Sequence, residues 1–332
     1  MVNAGGSGYY RVSYPTATVG RLAGRLAELE PLERYNLVSD AWAAALSGRA
    51  ALSDLLRLAR ALETSSERDP SVWSVVLGAL GLFDRVVPDA DRPVLAGAVR
   101  ALLAPLADTL GWDPHDDDDE RTPSLRSSVL RALGTVGDDP GTKEEAARRF
   151  AGTATLHPDT ESAILDIVAS GGGEPEFDTF VARYRSPANP QEENRYLYAL
   201  ASFTEPGLAS RTFDLAVHEV RTQNAPFLLQ SLLANRSTGP ASWQRVTEEW
   251  DQLVARFPSN ILPRMLDGVR GLCSPPELAD RVTEFVGTHP LPAGGRTVEQ
   301  ILERLAVNVA FGRREAATLA KTLATAFELP AS

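Results

Sequence analysis

Apolar residues recur at helical spacing through almost the whole chain, and this periodicity constrains the possible folds more than any other feature. In an early run, Leu22, Leu26 and Leu29 follow one another at intervals of four and three residues. That spacing places the three side chains on one face of an α-helix. Similar runs fill residues 16–327, and at the usual length of three to four turns they predict about sixteen or seventeen helices.

Proline and short polar residues mark where many of these helices should begin. A proline in the first helical turn removes no hydrogen bond, and an Asp or Ser just before it accepts from a free backbone N–H. The predicted starts are Ser53–Asp54, Asp69–Pro70–Ser71, Pro158–Asp159, Glu205–Pro206, Gly239–Pro240 and Ser274–Pro275–Pro276.

Pairs of predicted helices recur at intervals of roughly thirty to forty residues, without the fixed signature of tetratricopeptide or ankyrin repeats. A chain of 332 residues is long enough for two compact domains or for one repeat array. We therefore predict an all-α fold over residues 16–332, an irregular HEAT-like or armadillo-like α-solenoid that forms a right-handed superhelix of helical hairpins. Such an array would present a concave face.

Residues 1–15 are the exception to the helical pattern. Gly5, Gly6 and Gly8 precede the run 9–14, which is rich in aromatic and β-branched residues and ends at Pro15. This composition predicts a short β-strand. A single strand needs a partner, so we interpret the segment as a strand or linker belonging to a preceding β-sandwich domain. Within this chain it should be flexible, folded back on the first helices or paired with a second copy.

Charge and composition narrow the class of protein. The net charge of −11 and the pI near 5.0 argue against nucleic acid or an anionic membrane as the main partner. The single cysteine, Cys273, excludes a disulfide framework and a cysteine-based zinc module. With no leader and no apolar run near ~20 residues predicted, we expect a cytoplasmic protein. Lys143 and Lys321 are the only lysines among 33 basic residues, which we interpret as the mark of a GC-rich, bacterial genome.

No catalytic or metal-binding residue is predicted in this chain. The four histidines are His115, His157, His218 and His289, so no two of them can share a helix face. The nearest approach to the zinc motif H-E-x-x-H is at 218–222, where Thr222 stands in place of the second histidine.

Other candidate sites have simpler interpretations. The acidic loop 113–120 lacks the glycine and glutamate positions of a calcium-binding EF-hand, so a solvated loop is favoured over a metal site. Asp159 beside His157 is expected to belong to a helix start rather than to a hydrolytic triad. Asn235 matches a glycan acceptor but is expected to be an unmodified turn, and Cys273 is expected to pack at a helix end.

Several segments, in order and over nearly the whole chain, resemble the helical C-terminal domain of zinc aminopeptidases of the aminopeptidase N type, which include the endoplasmic-reticulum and puromycin-sensitive aminopeptidases. The segments are Asn3 with 8–14, 32–42, Trp73 with the apolar run after it, 176–184, 192–200, 220–224, 243–250 and 296–300.

The resemblance implies a non-catalytic domain that caps the peptide chamber and helps to control substrate access and length. Its partners would be the catalytic and β-sandwich domains of the parent enzyme and the peptide substrate, with zinc held by the catalytic domain. Tyr9, Tyr10 and Arg11 would form the interdomain hinge, or alternatively would plug the base of the first helices. Peptide-binding residues are not assigned. The alternative function is a free-standing α-solenoid scaffold that binds another protein through its concave face.

Overall fold

The computed structural model describes residues 2–152 and 156–329, and within those ranges the chain is α-helical. Seventeen α-helices and five short 3-10 helices account for the regular structure of these residues, which contain no β-strand. The predicted all-α class and number of helices are confirmed. The strand predicted at residues 9–14 is wrong, because that segment has no regular secondary structure and pairs with no strand among the described residues.

The helices follow one another with short connections. Their bounds are α1 Thr16–Ala23, α2 Pro31–Leu46, α3 Leu52–Thr64, α4 Pro70–Val86, α5 Arg92–Leu110, α6 Thr122–Gly134, α7 Pro140–Ala151, α8 Pro158–Gly171, α9 Glu174–Arg185, α10 Pro190–Ala199, α11 Pro206–His218, α12 Ala225–Ala234, α13 Gly239–Glu248, α14 Trp250–Arg256, α15 Leu262–Leu266, α16 Pro276–Thr288 and α17 Gly295–Phe327.

The predicted helix starts correspond to α3, α4, α8, α11, α13 and α16. At α4 the reason is visible in full, because the Asp69 carboxylate accepts a hydrogen bond from the backbone N–H of Ser71 at 2.7 Å. Pro70 occupies the first helical position, where its missing N–H leaves no acceptor unpaired.

The chain divides into two compact units. Unit 1 comprises the described residues of Met1–Glu145, Thr153–Ala163 and Arg314–Ser332, and unit 2 those of Ala146–Gly152 and Ile164–Arg313. In unit 1 the fully buried Trp73 donates its indole N–H to the backbone oxygen of Glu67 at 2.9 Å. The rings of Trp42 and Phe83 meet edge to face, with their centroids 6.0 Å apart. These contacts lie in the core formed by α2, α4 and their neighbours.

In unit 2, polar side chains join residues 34 to 38 positions apart in the sequence. Each contact therefore spans one predicted helix pair. In most of them a side chain donates to a backbone oxygen near a helix end, where no helical N–H is available to bind it. The contacts run from Ser202 to Asp166, from Thr204 to Ser170, from Asn235 to Ala201, from Arg256 to Val220 and from Asn308 to Arg270. This regular separation agrees with the predicted interval between helix pairs.

One helical stretch, Asp89–Leu110, is long and apolar enough to cross a membrane by length and composition alone. More than half of it is buried inside the protein, and a core helix passes the same test. An apolar stretch of this length was not predicted from the sequence. Arg92 and Arg100 interrupt the stretch, and Arg100 donates to the backbone oxygen of Gly137 at 2.6 Å.

Candidate functional site

The N-terminal segment, residues 2–15, precedes α1 and forms a loop that one of its own side chains closes. The Asn3 amide donates to the Gly8 oxygen at 3.0 Å and accepts from the Gly8 N–H at 2.7 Å, which closes a loop. Gly5 and Gly6 turn inside that loop at φ values of 70° and 67°, a region that glycine adopts without strain. A side chain at Gly6 would meet Leu32 of α2, so the loop lies directly on the first turn of that helix.

The second half of the segment is held by a buried carboxylate on α2. Asp40 accepts from the backbone N–H of Val12 at 3.1 Å and from the Arg11 guanidinium at 3.2 Å. Arg11 also donates to the Ser39 hydroxyl at 2.7 Å. The Val12 N–H, which a partner strand could have bound, thus donates to the Asp40 side chain instead. This hydrogen bond is satisfied without a sheet. Of the three predicted outcomes for this segment, folding back on the first helices is confirmed.

Tyr14 ties the two ends of the segment together. Its hydroxyl donates to the backbone oxygen of Val2 and accepts from the backbone N–H of Val2, both at 3.1 Å. Burial raises the pKa of Tyr14, and the nearby Asp40 carboxylate raises it further, although the hydrogen bond with Val2 opposes this change. The tyrosine therefore stays neutral and keeps its role as a donor over the physiological range.

Tyr9 and Tyr10 are both exposed to solvent. Tyr9 is fully exposed and Tyr10 is 56% exposed, with its ring against Gly8. The alternative role as a plug beneath the first helices is therefore wrong for both tyrosines. Arg11, by contrast, donates hydrogen bonds to Ser39 and Asp40 of α2. Their role as an interdomain hinge stays a prediction.

These tyrosines belong to an apolar surface, which we call the N-terminal patch. Five large hydrophobic side chains are exposed among the described residues, and Val2, Tyr9, Tyr10 and Leu32 are four of them. An open groove of about 710 Å³ adjoins Leu32. Its lining residues are Pro31, Leu32, Tyr35, Asp69, Pro70, Ser71, Ser74 and Arg121. Exposed apolar area concentrated in this way is typical of a surface that another protein or domain covers.

Sequence reasoning missed the α2 half of this site. Asp40 and Leu32 both lie in the segment 32–42 on which the resemblance rests, but no role was predicted for either. The available signal was Asp40 itself, a carboxylate in the apolar stretch 37–45. An acid in such a position needs a charged or N–H partner, and the partner here lies 28 and 29 residues away.

The acidic loop 113–120 is exposed but tied to unit 1. Asp118 pairs with the fully buried Arg126 at 2.5 Å, and Arg126 also donates to the Leu110 oxygen at 2.9 Å. His115, Asp117 and Asp118 bring three potential ligand atoms within 4.8 Å of one another. Since Asp118 is already neutralised by Arg126, this donor set does not fit a catalytic zinc, which typically uses a histidine pair on one helix.

Asp118 makes the stability of unit 1 sensitive to acid. Burial raises its pKa, but the hydrogen bonds from Arg126 and from the backbone of His115 lower it more, so the pKa lies below the ordinary 3.8. A depressed pKa contributes stability above the ordinary value and loses that contribution as the pH falls through the folded-state pKa. We expect Asp118→Asn to lower the melting temperature by about 2–6 °C at neutral pH and by progressively less below pH ~4. Thermal unfolding measured across pH checks this, with the exposed Asp117→Asn as control; a difference that is constant with pH would contradict it.

The remaining candidates have structural roles. The Asn235 amide donates to the backbone oxygens of Ala201 and Phe203, and its oxygen accepts from Ser237, so this side chain is fully used in an internal turn. Cys273 is buried, as predicted. His157 lies just before α8, where its ring nitrogen Nδ1 accepts from the backbone N–H of Asp159 at 3.3 Å. The expected helix start is therefore confirmed there.

The sequence of this chain is similar to those of known proteins. Residues 1–307 match the family model described as the ERAP1-like C-terminal domain. Aminopeptidase M1-C of Oryza sativa subsp. japonica is 30% identical over 341 residues, which cover 97% of this chain and 38% of the relative. Aminopeptidase M1 of Arabidopsis thaliana is 27% identical, with 92% and 36% covered. Glutamyl aminopeptidase of Bos taurus is 26% identical, with 93% and 33% covered.

The chain thus spans well under half the length of these relatives, and the match with the plant enzymes lies in their C-terminal 36–38%. The H-E-x-x-H motif is absent from the sequence. The resemblance inferred from the sequence motifs is confirmed by the match of the family model over most of the chain: this protein chain belongs to the ERAP1-like C-terminal domain family.

Proposed function

We propose that this chain is the non-catalytic C-terminal domain of a zinc-dependent aminopeptidase, where it caps the peptide chamber and helps to control which peptides reach the active site. The observation that carries the proposal is the coverage. Nearly all of the chain matches aminopeptidases, but it matches only a C-terminal third or so of each. A catalytic domain elsewhere would hold the zinc, which activates water for attack on the peptide bond.

The proposal includes the arrangement of the helices. The side-chain contacts that join residues 34 to 38 positions apart support a HEAT-like solenoid within unit 2. Stacked helix pairs leave side chains and helix ends along one face, which can contact the distal part of a peptide without performing chemistry. The domain would thereby favour peptides of suitable length, and a cytoplasmic location is part of the same proposal.

The N-terminal patch is the proposed junction with the preceding β-sandwich domain. Residues 1–15 would link the two domains, with residues 16–332 forming the helical domain. Val2, Tyr9 and Tyr10 provide exposed apolar area there, while Arg11 and Asp40 hold the segment against α2. Aromatic side chains at the centre of an interface commonly dominate its binding energy, so the two tyrosines are the residues to test.

The chain alone, supplied with zinc, should release no amino acid from aminoacyl-anilides or peptides. Addition of the catalytic and β-sandwich domains of the parent enzyme should restore hydrolysis, with a rate ratio between long and short peptides that changes about tenfold when this chain is left out, equivalent to ~1.4 kcal/mol of differential transition-state binding. Turnover by the chain alone, or an unchanged length preference, would overturn the proposal. The scaffold alternative predicts no association with those domains.

The junction is tested separately by the double substitution of Tyr9 and Tyr10 by serine. We expect its affinity for the catalytic and β-sandwich domains to fall about 10- to 100-fold, because two exposed aromatic anchors are lost. Phe227→Ser is the matched control, since Phe227 is an exposed aromatic residue on α12 of unit 2. Equal losses for the two proteins, measured by titration calorimetry, would rule out the N-terminal patch as the junction.

A further inference from the structure

Three helices of unit 2 carry the same short sequence pattern. Each has a proline in its first turn and an arginine five residues after the proline. Phe or Thr follows at the seventh residue after the proline, and an acidic residue at the eighth. The copies are Pro206, Arg211, Phe213 and Asp214 in α11; Pro240, Arg245, Thr247 and Glu248 in α13; and Pro276, Arg281, Thr283 and Glu284 in α16. Equivalent side chains therefore occupy equivalent positions on these three helices.

The arginine of the first copy, on α11, stacks on a phenylalanine of α9. The Arg211 guanidinium carbon lies 4.5 Å from the ring centroid of Phe177 in α9. Its Nη2 donates to the carboxylate of Asp178, the next residue, at 2.6 Å. A ring face and a carboxylate thus share one guanidinium, which combines a cation–π contact with an ion pair.

The second copy, on α13, repeats this arrangement with a phenylalanine of α11. The Arg245 guanidinium carbon lies 4.1 Å from the ring centroid of Phe213, and its Nη2 lies 2.9 Å from the carboxylate of Asp214. Arg245 also pairs with Glu249 at 2.5 Å. In the first two copies the arginine therefore pairs with the aromatic–acid pair of the helix two positions earlier in the chain.

The arginine of the third copy, Arg281 on α16, has no phenylalanine on α13 to stack on. Thr247 and Glu248 of α13 occupy the positions that Phe213 and Asp214 occupy in α11, so the acid is kept and the aromatic residue is replaced. Arg281 is exposed and makes no hydrogen bond, ion pair or ring contact with any residue that the structure describes. A threonine has no π-face, so the position equivalent to Phe213 offers this guanidinium no ring.

An open groove occurs where the ring is absent. It has a volume of about 750 Å³ between α13 and α16, and Trp243, which is 96% buried, contributes to its floor. The lining residues are Pro240, Ala241, Trp243, Gln244, Thr247, Glu248, Leu278, Arg281 and Phe285. The groove thus combines an apolar floor, an unpaired guanidinium and one carboxylate.

We propose that this groove binds an aromatic side chain of another polypeptide, which stacks on Arg281 as Phe177 and Phe213 stack on Arg211 and Arg245. The groove already has its acid, Glu248, so the ligand needs to supply only the ring.

The charge around the groove indicates which residues should flank the aromatic residue in the bound polypeptide. Glu277 and Glu284 are exposed and flank Arg281 on α16 at intervals of four and three residues, and Asp280 is exposed beside it. The rim is therefore acidic around a single guanidinium, and the whole chain carries a net charge of −11. This surface favours a segment in which lysine or arginine flanks the aromatic residue, and it disfavours nucleic acid.

The probe is the peptide Gly-Lys-Phe-Lys-Gly with acetylated and amidated ends, so that no free terminus can be read as a substrate terminus. Binding to the full chain is measured by ligand-observed NMR titration. Arg281→Ala should weaken it about three- to tenfold, the amount expected for a partly exposed cation–π contact. Arg304→Ala is the matched control, because Arg304 is an exposed arginine of unit 2 without a partner among the described residues, and it should leave binding unchanged.

Thr247→Phe tests the proposal in the opposite direction. The new ring should stack on Arg281 within the protein, which closes the groove, raises the melting temperature and removes peptide binding. Replacing Phe by Ala in the peptide should weaken binding at least tenfold, because the ring's contact with the apolar floor is lost together with the stack. Replacing both Lys by Glu should weaken it at least tenfold as well, because charge complementarity is lost.

Four results would overturn the inference. Two concern the peptide: no binding of the Phe peptide at millimolar concentration, or equal binding of the Phe and Ala peptides. The third is equal affinity of the Arg281→Ala and Arg304→Ala variants for the Phe peptide. The fourth is closure of the groove by a second copy, seen as self-association that Arg281→Ala abolishes. None of them depends on catalysis, so failure here is distinct from failure of the aminopeptidase proposal.

Discussion

Replacing Phe180 by alanine should lower the free energy of unfolding of unit 2 by about 3–5 kcal/mol, the range found when a fully buried aromatic ring is truncated. Phe180 is completely buried on α9. Its ring meets those of Phe150, Tyr196 and Phe203 edge to face, with centroids 5.4, 5.3 and 5.4 Å away. Alanine would remove all three contacts at once and leave a cavity that three rigid rings cannot easily fill.

Chemical denaturation measures the loss, and hydrogen exchange assigns it to unit 2. Phe227→Ala is the control, because that ring is 38% exposed and its removal should change stability by less than about 1 kcal/mol. Phe180→Leu, which keeps most of the buried volume, should fall between the two. If Phe180→Ala and Phe227→Ala were equally stable, the aromatic cluster would not be the core of this unit.

Glu67→Ala should be similarly severe for unit 1, at about 3–5 kcal/mol, because it removes one partner of a buried ion pair. The Glu67 side chain is 3% exposed and pairs with Arg34, which is 18% exposed. The same carboxylate accepts from the backbone N–H groups of Arg68 and Asp69, both at 2.8 Å. Its loss would leave a buried guanidinium and two N–H groups without their acceptor, just before α4 begins.

Two further variants separate the charge from the hydrogen bonds. Glu67→Gln keeps an acceptor for the backbone and should lose clearly less stability than Glu67→Ala. The double replacement of Arg34 and Glu67 by alanine should lose less than the sum of the single changes, since neither charge is then buried alone. Glu28→Ala removes an exposed pair with Arg25 and serves as the surface control. Strictly additive losses at Arg34 and Glu67 would mean that the pair is not coupled.

Much of this fold was predictable because helix formation depends on neighbours in sequence. Apolar spacing predicted the helices, and proline with a preceding cap residue predicted starts such as that of α4 at Pro70. The lack of a zinc motif also followed from sequence alone, since H-E-x-x-H requires two histidines one helical turn apart and Thr222 occupies the second position.

The contacts between distant residues were decided by tertiary structure. Residues 9–14 have strand-like composition, yet the backbone N–H of Val12 binds the Asp40 carboxylate on α2, 28 positions away. Likewise, the proline–arginine pattern is visible in the sequence, but only the stacking of helices brings Arg245 over Phe213 and leaves Arg281 beside Thr247. Local backbone preferences act within about one helical turn, whereas the partner of a buried charge or exposed ring depends on which helices pack together, and packing is a property of the whole folded chain.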